Sequence, residues 1–133
     1  MPALILAAAI TLSGECGPLG PPCELAVART MANRLAHPAF PDDLAESSGF
    51  GAESGGFGRT GVLSAYYGRA RPTASALAVA ALLVAAPLAL ADGINYYAYS
   101  DQDRLAQGWR EGQETICRAG LCLHLSPSFG GAP

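Results

Sequence analysis

The hydrophobic positions in the first 38 residues predict two helices separated by a tight loop. Residues 3–12 are apolar except for one threonine, and a helix that begins near Ala3 is expected to stop at Gly14 and Glu15. A second helix is expected from about Pro22 until Pro38 ends it. The apolar stripe of this second helix consists of Leu25, Ala28, Ala32 and Leu35.

Two apolar segments also admit an export or membrane interpretation. Residues 3–12 resemble the core of a signal peptide, but no positive charge precedes them and no small-residue cleavage site fits, so we prefer a core helix. Residues 74–91 are eighteen consecutive uncharged positions, which reaches the lower length limit of a spanning helix. Because alanine dominates this run, we predict a soluble core helix that bends or ends near Pro87; a membrane anchor is the alternative.

The rest of the chain alternates glycine-rich and β-prone segments. The stretch from Asp42 to Arg71 combines glycine with phenylalanine and tyrosine, and it is expected to form a loop. Ile94 to Tyr99 is β-prone, and Ser100 with Asp103 has the spacing of a capping box that opens a helix through Trp109. We therefore expect a mainly α fold with short β elements (α+β), in one domain over residues 1–133 with an irregular tail from about residue 126.

The cysteines lie in two local pairs, Cys16 with Cys23 and Cys117 with Cys122. If residues 119–120 form a two-residue hairpin turn, Cys117 falls opposite Cys122 at a separation that suits a disulfide. Two structural disulfides are the preferred interpretation, while free buried thiols and a zinc site remain alternatives. Disulfides would indicate assembly in an oxidising compartment.

Composition and charge exclude several classes of function. A chain of 133 residues, half of them hydrophobic, suits one domain with one core. All eight positive charges are arginine and the net charge is −3, so the chain has neither a basic patch for nucleic acid nor a lysine for Schiff-base or phosphate-loop chemistry. No spacing of histidines or carboxylates typical of a catalytic metal site is present, and neither a metal nor another cofactor is expected.

Glu15 is the residue whose position best suits acid–base chemistry. It ends an apolar helix, where the helix macrodipole opposes a negative charge and apolar neighbours would raise its proton affinity. A carboxylic acid that stays protonated can deliver a proton to a glycosidic oxygen, and aromatic rings with glycine-rich loops suit a sugar polymer. The alternative is a solvated, inert glutamate at a helix end.

Three stretches carry a resemblance to a known family. Residues 10–17 read ITLSGECG, residues 24–35 read ELAVARTMANRL and residues 37–41 read HPAFP. In this order and spacing they resemble the SleB-like cell wall hydrolases, which include spore-cortex-lytic enzymes. The resemblance implies a small lysozyme-like domain in which Glu15 is the general acid and the Asn33–Arg34 pair orders the site. The candidate substrate-binding residues are then Asn33, Phe50, Phe57, Tyr96 and Tyr97.

This resemblance predicts an enzyme that cleaves the bond between N-acetylmuramic acid and N-acetylglucosamine in peptidoglycan. One carboxylate suffices for lytic transglycosylation, whereas hydrolysis needs a second one, for which Asp42, Asp43 and Asp101 are the candidates. The expected location is extracytoplasmic, in the periplasm or cell wall, or in a phage virion with other virion proteins as partners. The alternatives are a non-enzymatic virion or envelope component with the same fold, and a small membrane protein.

Overall fold

The computed structural model describes residues 2–38, 42–44, 71–91, 97–100, 114–118 and 121–126. Four helices are present in this part of the chain: α1 (Pro2–Cys16), α2 (Pro21–Ala36), α3 (Ala74–Ala85) and α4 (Pro87–Leu90). A 3-10 turn (Gly17–Leu19) joins α1 to α2. The strands are β1 (Tyr97–Ser100), β2 (Glu114–Arg118) and β3 (Leu121–Ser126). The described residues thus confirm a mainly helical fold with short β elements.

Glycine and proline set the boundaries of the first two helices. The backbone of Gly17 and Gly20 has positive φ angles of 51° and 76°, which favour glycine and interrupt the helical path between α1 and α2. Helix α2 then opens with Pro21, whose missing N–H costs nothing at the first helical position. It ends where His37 turns extended, because the residue before a proline is disfavoured in helical geometry.

Helices α3 and α4 confirm the predicted break in the alanine-rich run. Thr73 caps the start of α3 by accepting a hydrogen bond from the Ala76 N–H at 3.0 Å. The helix ends at Ala85, Ala86 leaves helical geometry, and Pro87 opens α4 as its first residue. Among the described residues, no helix is long and apolar enough to cross a membrane.

The core lies where α1, α2 and α3 pack together. Small side chains, among them Ala8 and Ala80, are fully buried and allow the helix backbones to approach closely, while Leu12 and Leu83 fill the larger spaces. The buried face of α2 is broader than the predicted stripe. Ala28 and Ala32 are buried as expected and Leu25 and Leu35 are partly buried, but Cys23, Val27 and Met31 also lie in the core, because α2 contacts α1, α3, α4 and β1.

Three helix ends meet at one end of this helical layer. The Thr73 N–H donates to Ser13 Oγ at 3.2 Å, so α3 begins beside the last turn of α1 and runs antiparallel to it. The Cys16–Cys23 disulfide, with its Cα atoms 5.7 Å apart, brings the first turn of α2 to the same place. We call this meeting point, formed by residues 13–16, 23–24 and 73–75, the helix junction.

The strands form one antiparallel sheet in the order β1-β3-β2. Arg118 pairs with Leu121 and Cys117 with Cys122, which confirms the predicted two-residue hairpin register. Cys117 is disulfide-bonded. Strand β2 contacts the 3-10 turn, and a Cβ added to Gly20 would lie 3.1 Å from Arg118 Nη1. The hairpin therefore stands beside the start of α2.

Other sequence predictions fall wholly or partly outside the described residues. The glycine-rich segment is described only at residues 42–44, where Asp42 and Asp43 are exposed and Leu44 is buried. Of the predicted strand over residues 94–99, residues 97–99 are described, and they form β1 together with Ser100. The helix predicted after Ser100 and the C-terminal tail beyond residue 126 lie outside the description.

Candidate functional site

The Glu15 side chain is exposed in the last turn of α1. The expectation that apolar neighbours enclose it is wrong for the part of the chain that the structure describes. Leu12 and Cys16 on the same side of the helix are buried, but the chain reverses directly after Cys16 through the exposed Gly17 and Pro18. The Glu15 side chain therefore lies at the surface, at the end of α1.

The buried acid of the helix junction is instead Glu24, in the first turn of α2. Its side chain is 1% exposed, although no apolar stripe or motif in the sequence marks it as an interior residue. Thr73 Oγ1 donates to Glu24 Oε2 at 2.8 Å, and Ser75 Oγ donates to Glu24 Oε1 at 2.5 Å. Both carboxylate oxygens are thus engaged by hydroxyl groups from the start of α3.

The two hydroxyl groups at Glu24 also contact each other. Thr73 Oγ1 and Ser75 Oγ lie 3.1 Å apart, a contact in which either hydroxyl can donate. Thr73 Oγ1 also accepts the Ala76 N–H at 3.0 Å. Glu24 therefore belongs to a hydrogen-bonded group of three side chains that also caps the start of α3.

The same residues connect Glu24 to the turn that carries Glu15. Thr73 uses its hydroxyl to bind Glu24 and its backbone N–H to bind Ser13 Oγ. Ser13 lies two residues before Glu15, and Cys16, directly after Glu15, is bonded to Cys23. Glu15 is therefore an exposed carboxylate on a backbone segment that is anchored on both sides.

Asn33 lies apart from the helix junction. It is ten residues beyond Cys23 on α2, which corresponds to about 15 Å along the helix axis. Its side chain is only 3% exposed. The assignment of Asn33 to substrate binding stays a prediction, and its burial favours an ordering role over direct contact with a glycan.

The aromatic candidates are described only in part. Tyr97 begins β1, where its backbone pairs with Ser126. Phe50, Phe57 and Tyr96 lie outside the described residues, as does Asp101. The placement of these aromatic side chains beside Glu15 therefore stays a prediction.

The predicted disulfide between Cys16 and Cys23 is confirmed. Both of its cysteines are buried, at 2% and 0% exposure. Within the described ranges, no group of three or more histidine, cysteine, aspartate or glutamate side chains could hold a metal ion.

Comparison of the chain with protein-family models, with curated proteins and with solved structures found no match in any of the three.

Proposed function

We propose that this protein cleaves the glycan strands of peptidoglycan, with Glu15 as the acid and base, on a small lysozyme-like domain. The observation that carries the proposal is the division of roles at the helix junction. Glu24 is buried with both oxygens engaged, whereas Glu15 presents its carboxyl group on an exposed, doubly anchored turn. Of these two acids, Glu15 is the one that a polymer can reach, and it is also the acid that the SleB-like resemblance identifies.

The reaction requires one proton to leave Glu15 and one to return. Glu15 protonates the bridging oxygen as the bond from that oxygen to the muramyl C1 breaks. The Glu15 carboxylate then takes the proton of the muramyl 6-hydroxyl, whose oxygen bonds to C1 and gives a 1,6-anhydro product. Because Glu15 is exposed, the apolar cover expected from the sequence does not favour its neutral form; a glycan strand lying over the carboxyl group would exclude water and favour it.

The disulfide supports an extracytoplasmic location, because such bonds persist in oxidising compartments. Peptidoglycan lies in those compartments, so the proposed substrate and the covalent structure of the junction are compatible.

The test replaces Glu15 by glutamine and measures the digestion of purified peptidoglycan. We expect Glu15→Gln to lower the rate by about 10²–10⁴-fold, the usual contribution of a general acid–base group. Its unfolding curve should match that of the wild type, because the side chain is exposed. Glu114→Gln is the matched control, since it removes the same charge from β2. Undiminished digestion by Glu15→Gln would end the proposal.

Mass analysis of the released muropeptides identifies the reaction. Anhydro ends indicate transglycosylation, and reducing ends, which are heavier by one water, indicate hydrolysis. Hydrolysis would require a second carboxylate. Asp42 and Asp43 are exposed, and replacing each by asparagine tests whether either supplies it.

A second candidate function is a non-enzymatic component of a virion or cell envelope. The specific observation that favours it is the exposure of Glu15, because an exposed acid lacks the enclosure typical of a general acid. The same assay separates the two candidates: a structural component would release no muropeptides even at high protein concentration, and Glu15→Gln would change nothing.

A further inference from the structure

A continuous set of bonds joins the buried carboxylate of α2 to the exposed carboxylate of α1. Glu24 accepts from the Thr73 hydroxyl at 2.8 Å, and the Thr73 N–H donates to Ser13 Oγ at 3.2 Å. Ser13 is in the last turn of α1, two residues before Glu15. The bonds therefore run from the interior of the junction to the turn that carries the proposed acid.

Thr73 is the residue on which these bonds depend. Its hydroxyl oxygen also accepts the Ala76 N–H and so caps α3, which fixes the backbone of Thr73 relative to that helix. Glu24 then fixes the hydroxyl from the other side, and its 1% exposure means that water does not compete for this bond at the carboxylate. With its hydroxyl held twice, Thr73 presents its N–H to Ser13 in one orientation.

The disulfide anchors the Glu15 turn on its C-terminal side. Cys16 anchors the chain on one side of Glu15, and a helical turn with one anchor can still rotate or fray at its end. The Ser13 contact supplies the second anchor, on the other side of Glu15 and to a different helix.

We propose that Thr73 and Glu24 are positioning residues that hold the last turn of α1, and with it the Glu15 carboxyl group, in the orientation that proton transfer requires. This inference rests on the proposed function of Glu15. Proton transfer needs the acid within hydrogen-bond distance of the glycosidic oxygen, and a displacement of about 1 Å lowers a rate by up to about 100-fold. The two residues act through the backbone of α1 and do not themselves touch the glycan.

The experiment compares Thr73→Val with Thr73→Ser in the full, disulfide-bonded chain. Valine removes the hydroxyl at nearly constant volume, and serine retains it. Thr11→Val is the control, because it also removes a threonine hydroxyl bond, from Thr11 to the Ala7 carbonyl at 2.9 Å, without touching the junction. Hydrogen exchange of the amides at residues 13–17 reports on the turn, and kcat and KM for soluble peptidoglycan fragments report on catalysis.

For Thr73→Val we expect exchange in the last turn of α1 to rise about 10-fold, the equivalent of one hydrogen bond. We expect kcat to fall by about 10- to 100-fold with KM nearly unchanged, because positioning of the acid matters in the transition state. Thr73→Ser should restore both values, and Thr11→Val should leave kcat unchanged.

The outcomes separate this inference from the proposed function. Unchanged exchange in Thr73→Val overturns the positioning role whatever the activity. Faster exchange with an unchanged kcat, in a protein that Glu15→Gln inactivates, overturns it while leaving the proposed function intact. If Glu15→Gln is as active as the wild type, the proposed function is wrong, and so is the proposal that Thr73 and Glu24 position Glu15 for catalysis.

Discussion

Replacing Glu24 by alanine should destabilise the protein more than any change at the exposed acid of the junction. The substitution removes two hydrogen bonds to a carboxylate that is 1% exposed, from Thr73 at 2.8 Å and from Ser75 at 2.5 Å. Hydrogen bonds to charged groups contribute about 1.5–3 kcal/mol each. Thr73 and Ser75 are near the surface and can regain water, so the lower end applies, and we expect a loss of about 3 kcal/mol.

Glu24→Gln should cost about half as much, about 1–2 kcal/mol. The amide oxygen can still accept one of the two hydroxyl hydrogens. The amide NH₂ replaces the other acceptor, so it must face a hydroxyl oxygen that already has neighbours. Thr73 Oγ1 is a poor acceptor for this NH₂ group because it already accepts the Ala76 N–H. We therefore expect the Ser75 hydroxyl to reorient and accept from the amide.

The measurement is urea unfolding at neutral pH with the disulfides intact, followed by circular dichroism and extrapolated to zero urea. Glu15→Gln is the control for the loss of one negative charge, and it should stay within about 0.5 kcal/mol of the wild type because its side chain is exposed. A loss below about 1 kcal/mol for Glu24→Ala would refute our assignment of the two hydrogen bonds as a buried, stabilising cluster. Equal losses for alanine and glutamine would refute the expectation that the amide oxygen still accepts one hydroxyl hydrogen.

Three further stability predictions use the same unfolding assay. Replacing Cys16 and Cys23 together by alanine should cost about 2.5 kcal/mol, the loop-closure term for a loop of this length, and a difference within error would contradict that role. Gly20→Ala should cost about 1–3 kcal/mol, because φ is 76° and ψ is −162°, a region that glycine alone occupies readily; an unchanged midpoint would argue against this backbone conformation. Leu83→Ala should cost about 2–5 kcal/mol at a fully buried site. Leu82→Ala, at a neighbouring residue that is 44% exposed, should cost only about 0.5 kcal/mol. Equal losses of stability in Leu82→Ala and Leu83→Ala would contradict the orientation of α3.

The parts of the fold that follow from short-range chemistry were predictable from the sequence. Glycine and proline mark the ends of α1 and α2, and Pro87 marks the break between α3 and α4. The two-residue turn fixes the hairpin register, which places Cys117 opposite Cys122. Each of these signals depends on residues close together in the sequence, so it can be identified without knowledge of the tertiary packing.

The burial of the two glutamates was not predictable in this way. Glu15 and Glu24 both lie at helix ends beside a cysteine of the same disulfide, and local sequence does not distinguish them. What distinguishes them is the position of α3, whose hydroxyl groups reach Glu24 from 49 and 51 residues further along the chain. The breadth of the buried face of α2 has the same origin, because it depends on which elements pack around the helix.

The difference in burial between Glu15 and Glu24 determines which of them is the better candidate for catalysis. A buried acid is often taken as the candidate for catalysis, and that criterion alone would select Glu24. A group that transfers a proton, however, needs an oxygen that the substrate can approach, and both oxygens of Glu24 already accept hydroxyl hydrogens. The proposed function therefore gives Glu24 a structural role and Glu15 the role of the acid. The two roles separate experimentally, because Glu15→Gln should lose activity at unchanged stability, whereas Glu24→Gln should lose stability first.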